Sequence, residues 1–191
     1  AHPLLAPLAP VVGGAGGRLQ AVVPAVGAEP GTTTVVVFRR AAVGFGRVER
    51  SVPTGDLATE LAAMVANRPA NGEHTPLPVR GQVRDLLVCT HGSRDVCCGA
   101  DGMRLHGQVS DLEDVRVWRT SHTGGHRFAP TALTFPDGRA WAWLDAELVR
   151  GIVERSLPAA AAAAHDRGSV ALDDPYAQTA ESAVFGAEGW G

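Results

Sequence analysis

The sequence predicts an α/β fold arranged in two lobes, and three observations carry that reading. Val- and Thr-rich runs alternate with runs whose apolar residues fall at helical spacing. Pro136-Asp137-Gly138 is a strong hairpin signal between two of the extended runs. A stretch with three prolines and a glycine, residues 68–78, divides the alternating pattern. The 191 residues are enough to bury a hydrophobic core without disulfide staples.

In the first lobe, residues 1–80, the segments 18–23, 33–39 and 46–52 read as strands, the second following a Glu29-Pro30-Gly31 turn. Residues 56–67 place Leu57, Leu61, Ala62, Met64 and Val65 at helical spacing, with Asp56 as the N-cap. Before Arg18 the prolines and glycines specify no element. In the second lobe, residues 81–172, Asp85–Cys89 is a short apolar strand, 102–109 a helix and 115–118 a second strand, which together make a βαβ unit with a short crossover. Segments 132–135 and 139–144 form the hairpin, and 146–157 is a helix with Leu148, Val149, Ile152 and Val153 on one face, stopped by Pro158. Strand, helix, strand, hairpin, helix is the order of a thioredoxin-like core, with the first lobe as an α/β support. The alanine run 159–164 is expected to be helical, 169–172 an edge strand, and the tail 173–191 to hold a short helix near 177–184.

Apolar residues make up 45%, charged residues 19%, and the formal net charge is -3, a balance that excludes a disordered chain and a nucleic-acid binder. All 17 basic residues are arginine, which reads as coding bias. No run reaches the roughly 18 to 20 apolar residues of a membrane span, and the apolar start, 4–12, lacks a basic flank and is broken by Pro7 and Pro10. A cytoplasmic protein with no membrane or nucleic-acid partner is therefore expected. The chain begins with Ala, as a fragment or a processed protein would.

Chemistry concentrates in one region. Cys89, Cys97 and Cys98 cannot close a disulfide framework, and two of them are adjacent, so reduced thiols are expected. All three, and four of the seven histidines (His91, His106, His122 and His126), fall between positions 89 and 126. Both halves of this constellation begin where a predicted strand ends, which is where open α/β sheets assemble their sites. Gly124 and Gly125 make the segment between His122 and His126 a loop rather than a helix, and Cys89 and Cys98 span a second loop carrying Gly92 and Gly99. Two thiolates and two imidazoles suit zinc, or a [2Fe-2S] cluster of mixed ligation. His91, beside Gly92, is expected to hydrogen-bond around such a centre, and His106 to lie on the surface of a helix. Arg94 and Arg127, close to the ligand loops, are placed to stabilise a reduced centre, to dock an acidic partner, or to pair with Asp95 or a carbonyl.

The segment CTHGSRDVCCG, followed by VWRTSHTGGHRFAPTALTFPDG, resembles the sucrase/ferredoxin-like family, thioredoxin-like ferredoxins related to the yeast actin-patch distribution protein. The likeness rests on two motifs, C-T-H-G-x-R-D-x-x-C and H-x-G-G-H-[RK]-F-A. It implies a thioredoxin-like ferredoxin core and a [2Fe-2S] cluster held by Cys89, Cys98, His122 and His126, with Cys97 a bystander. The implied function is electron transfer or redox sensing with a redox partner protein that the sequence does not identify. Two thiolates neutralise the oxidised core where four would leave it an anion, so reduction is easier, as in Rieske centres, and a coordinated imidazole can couple it to proton transfer. The same four residues as a structural zinc site are the first alternative. A metal-free thiol enzyme using Cys89 or Cys98 is the second, disfavoured because no CxxC pair is present. Sugar hydrolysis is not expected, because it needs two facing carboxylates and Asp95, Asp101, Asp137 and Asp145 all sit at turns or element ends.

Overall fold

The computed structural model describes residues 5–23, 29–41, 43–66, 85–93 and 96–190. Its centre is a five-stranded sheet of β3 (Asp85–Cys89), β4 (Arg116–Thr120), β5 (Ala132–Phe135), β6 (Arg139–Trp141) and β7 (Asp166–Ser169). The strand order is β4-β3-β5-β6-β7. The β3–β4 pair is parallel, as its helical crossover requires, and the other three pairings are antiparallel. Every residue of the DLLVC strand is buried, the mark of a strand covered on both faces.

The two faces are covered by different parts of the chain. Leu86 and Val88 point to one side, where Leu105 and Val109 of α3 (Val96–Val109), Val149 and Ile152 of α4 (Ala146–Glu154) and Phe185 of α6 (Pro175–Glu188) close over Trp141. Leu87, one residue out of phase, points to the other side with Leu133 and Phe135, where Phe45 packs on them. Phe45 belongs to a hairpin of β1 (Thr32–Arg40) and β2 (Phe45–Pro53), and Phe38 of the same hairpin stacks on Phe135 at 3.9 Å. Beyond the hairpin, Leu8 and Val12 at α1 (Ala9–Gly14) meet Leu57, Leu61 and Met64 of α2 (Leu57–Ala66). A buried carboxylate joins hairpin and sheet: Asp85 accepts from Arg116 at 2.9 and 2.7 Å, from Trp118 Nε1 at 2.9 Å and from Arg47 of β2 at 3.3 Å.

Most expected elements are present, and the differences have local causes. Segment 18–23 makes a single bridge, Val22 to Thr120, rather than a strand, and Pro24, which has no N–H to donate, follows it. Residues ahead of Arg18 do form a helix, α1, with Pro10 in its first turn, where no N–H is needed. Asp56 closes a 3-10 turn, Thr54–Asp56, before α2. The helix expected over 102–109 begins at Val96, because Gly99 and Gly102 serve close packing. Strand β6 ends at Trp141, and Trp143, at φ 51°, turns the chain away. The edge strand lies at Asp166–Ser169 rather than 169–172, and the helix expected near 177–184 runs from Pro175 to Glu188. The expected linker, 68–78, lies outside the described residues. No helix among the described residues is long and apolar enough to cross a membrane.

Candidate metal centre

The carboxyl end of β3 sets the centre. Cys89 is its last residue, fixed by its N–H donating to Thr131 O at 3.0 Å, and its side chain is buried. Cys98 lies in the first turn of α3, 1% exposed, so the second thiol stands on a helix and not on the expected loop. The approach of helix to strand is made by glycines. A Cβ on Gly102 would strike the Cys89 carbonyl, and one on Gly99 would come within 2.6 Å of Gly92 Cα. These contacts explain why helix-weakening residues occupy the helix.

The histidine loop follows β4. Gly124 and Gly125 adopt φ of 100° and 71°, conformations that only glycine takes freely, so the predicted loop is present. The loop is braced at its carbonyls by residues distant in sequence. Arg18 Nη2 donates to Thr123 O at 3.2 Å, Gln20 Nε2 to His122 O at 3.4 Å, and Arg167 Nη1 to Gly124 O at 3.5 Å. Ser121 Oγ donates to Gln20 Oε1 at 2.7 Å, and the Thr123 and Thr131 hydroxyls bond at 3.0 Å. Sequence reasoning missed this brace. Arg18, Gln20 and Arg167 carry no motif, and only the fold brings them to the loop.

Three of the four expected ligands converge. Cys89 Sγ lies 4.0 Å from His122 Nδ1, and the two thiol sulfurs and a His122 ring nitrogen all lie within 4.8 Å of one another. His126 opens the 3-10 turn His126–Phe128 and is exposed; its ring centre is 6.2 Å from that of His122, and its nitrogens fall outside the three-donor group. Cys97, next to Cys98, is exposed. His91 Nε2 bonds Ser93 Oγ at 2.9 Å, and Arg127 is exposed. Arg94 and Asp95 lie outside the described residues. His106 is half-buried rather than on the surface, and burial, followed by the charge of Arg119, holds its pKa below the usual histidine value. Burial and the like charge of Arg18 push the Arg167 guanidinium down in the same way.

A sucrase/ferredoxin-like family profile matches residues 28–168. The chain belongs to the sucrase/ferredoxin-like family. The four expected ligands, Cys89, Cys98, His122 and His126, lie inside the matched range, whereas Arg18 and Gln20 lie before it. The chain is also similar to altered inheritance of mitochondria protein 32 of Meyerozyma guilliermondii, 35% identical over 82 residues, a match covering 38% of this chain and 29% of that protein. It therefore spans under a third of the length of this relative. No solved structure matches it. Two buried thiols and a half-buried imidazole form a donor set that suits a soft or borderline metal.

Proposed function

We propose that this protein is a one-electron carrier that holds a [2Fe-2S] cluster through Cys89, Cys98, His122 and His126. The observation that carries the reading is the convergence of Cys89, Cys98 and His122 within 4.8 Å at the end of β3, in a chain of the sucrase/ferredoxin-like family and with His126 on the same loop as His122. Thiolate and imidazole donors together suit a [2Fe-2S] cluster of mixed ligation. The strand order, a parallel pair followed by an antiparallel hairpin with helices on one face, supports the finer assignment to a thioredoxin-like ferredoxin core.

When bound, such a cluster stores one electron, at a potential that neutral imidazoles raise relative to an all-thiolate site. The chain's own residues do the rest. Cys89 and Cys98 supply thiolates in a buried setting, Gly99 and Gly102 let their two elements meet, and the Arg18, Gln20 and Arg167 brace fixes the loop that carries both imidazoles. Exposed His126 forms the edge through which electrons would pass to a partner protein. Cysteines that form no disulfide suit a reducing compartment such as the cytoplasm.

Purification without oxygen followed by iron, sulfide and zinc analysis tests the proposal. The expected result is red-brown protein with iron and acid-labile sulfide in about a two-to-two ratio. Colourless protein with one zinc and no sulfide would assign the same residues to a structural zinc site. Metal-free protein with a reactive thiol would assign them to thiol chemistry.

A further inference from the structure

The exposed edge of the centre carries a cationic and aromatic rim that cluster binding does not use. The chain is acidic overall, with a formal net charge of -3. Yet Arg18, Arg127 and Arg167 surround the histidine loop, and none forms an ion pair among the described residues. Arg18 and Arg167 approach the loop from opposite ends of the sequence, and the charged group felt most by Arg167 is Arg18, a like charge. The carboxylates next to these residues in sequence pair with none of the three arginines. Asp166 is bound to Arg139 at 2.9 Å, and Asp145 caps α4 by accepting from Leu148 N at 2.8 Å.

Aromatic surface lies beside these charges. Arg167 stands over the Phe128 ring at 4.6 Å, and Phe128 meets Trp143 edge to face at 5.1 Å. Trp143 is 52% exposed, and its backbone is left-handed at φ 51°, uncommon for a bulky residue. It is held there by its N–H donating to Phe128 O at 2.8 Å. An exposed tryptophan among arginines is the composition of a binding hot spot.

We propose that Arg18, Arg127, Arg167 and Trp143 form the docking surface for an acidic, single-electron redox protein that reaches the centre at its His126 edge. The inference rests on the cluster reading and names its partner by charge complementarity: uncompensated guanidinium groups attract carboxylates, and the ring of Trp143 supplies the apolar anchor. In the exchange one electron leaves the reduced partner, which is oxidised, and one enters the centre behind the rim, which is reduced. No bond is made or broken.

Flavodoxin, an acidic flavin protein, and cytochrome c, a basic haem protein, serve as probes. Binding of the purified protein to each immobilised probe is measured by biolayer interferometry, and electron exchange with flavodoxin hydroquinone by stopped flow. Flavodoxin should bind, with affinity falling about tenfold or more between roughly 20 and 200 mM salt as the charges are screened. Arg127→Glu should weaken it by about tenfold, with Arg127→Lys restoring most of the loss. Trp143→Asn, chosen because Asn tolerates left-handed backbone, should weaken it by about thirtyfold. Preferential binding of cytochrome c, no binding of flavodoxin, or unchanged affinity in Arg127→Glu and Trp143→Asn would overturn the docking surface. Metal analysis of the same samples separates the two readings. Zinc without sulfide overturns the cluster and the redox role, whereas lost docking with iron and sulfide intact overturns the surface alone.

Discussion

Cys97 and Cys98 are chemically identical neighbours with opposite environments, one exposed and one 1% exposed beside Cys89 and His122. Cys97→Ser should therefore keep the full metal and sulfide content, while Cys98→Ser should lose it, as read by absorbance and metal analysis; the reverse would reassign the ligand. Asp137 illustrates a different residue-scale effect. Its Oδ1 accepts from Thr134 at 2.7 Å, but Oδ2 is buried without a hydrogen-bond partner. Burial pushes its carboxyl above the usual range, and the Thr134 bond only partly offsets this. The folded state then holds the proton more tightly than the unfolded chain. Its contribution favours folding when protonated and is lost as pH rises from the ordinary carboxylate value through the folded one. Asp137→Asn should remove that slope, so urea melts of the two proteins should diverge progressively as pH rises from about 4, the ordinary Asp value, toward neutrality. A difference independent of pH would show that Asp137 does not titrate in this way.

At the scale of the element, α3 contains glycines with unlike roles. Gly102 has the Cys89 carbonyl where a Cβ would go, whereas Gly107, five residues on, faces open space. Gly102→Ala should cost about 1–3 kcal/mol through overpacking and lower metal retention, because it pushes Cys98 away from β3. Gly107→Ala should instead stabilise by up to about 1 kcal/mol through helix propensity alone. Denaturant melts of the pair, with iron content measured alongside, check both; equal effects would mean that the helix does not press on the strand. The same packing explains why the start of α3 was not visible in the sequence. Glycine in a helical window reads as a breaker, and only the neighbouring strand reveals that it permits contact.

At the scale of the whole molecule, Asp85 ties the hairpin to the sheet. Fully buried, it answers both Arg47 and Arg116, while Glu49 of β2 takes a further bond from Arg116 at 2.7 Å. Asp85→Ala would leave Trp118 Nε1 without its acceptor and Glu49 as the remaining anion of both arginines, at 3.2 and 2.7 Å, and should cost about 1–3 kcal/mol. Thermal and urea unfolding would measure it, and a loss under about 1 kcal/mol, typical of an exposed pair, would show that the hairpin is held by Phe38 and Phe45 instead.

The sequence by itself determined the α/β alternation, the hairpin at Pro136-Asp137-Gly138, the donor types and the loop between His122 and His126. Each follows from residues a few positions apart, since periodicity, turn conformation and ligand spacing are local properties of the chain. Tertiary structure alone decided which donors meet: Cys98 reaches Cys89 by a helix lying on a strand, while His126 stands outside the three-donor group. It also decided that Arg18 and Arg167 brace the histidine loop. The physical reason is separation along the chain. Arg18 and Thr123 are 105 positions apart, and their hydrogen bond depends on where the 18–23 segment and β4 settle beside one another, which no local pattern encodes.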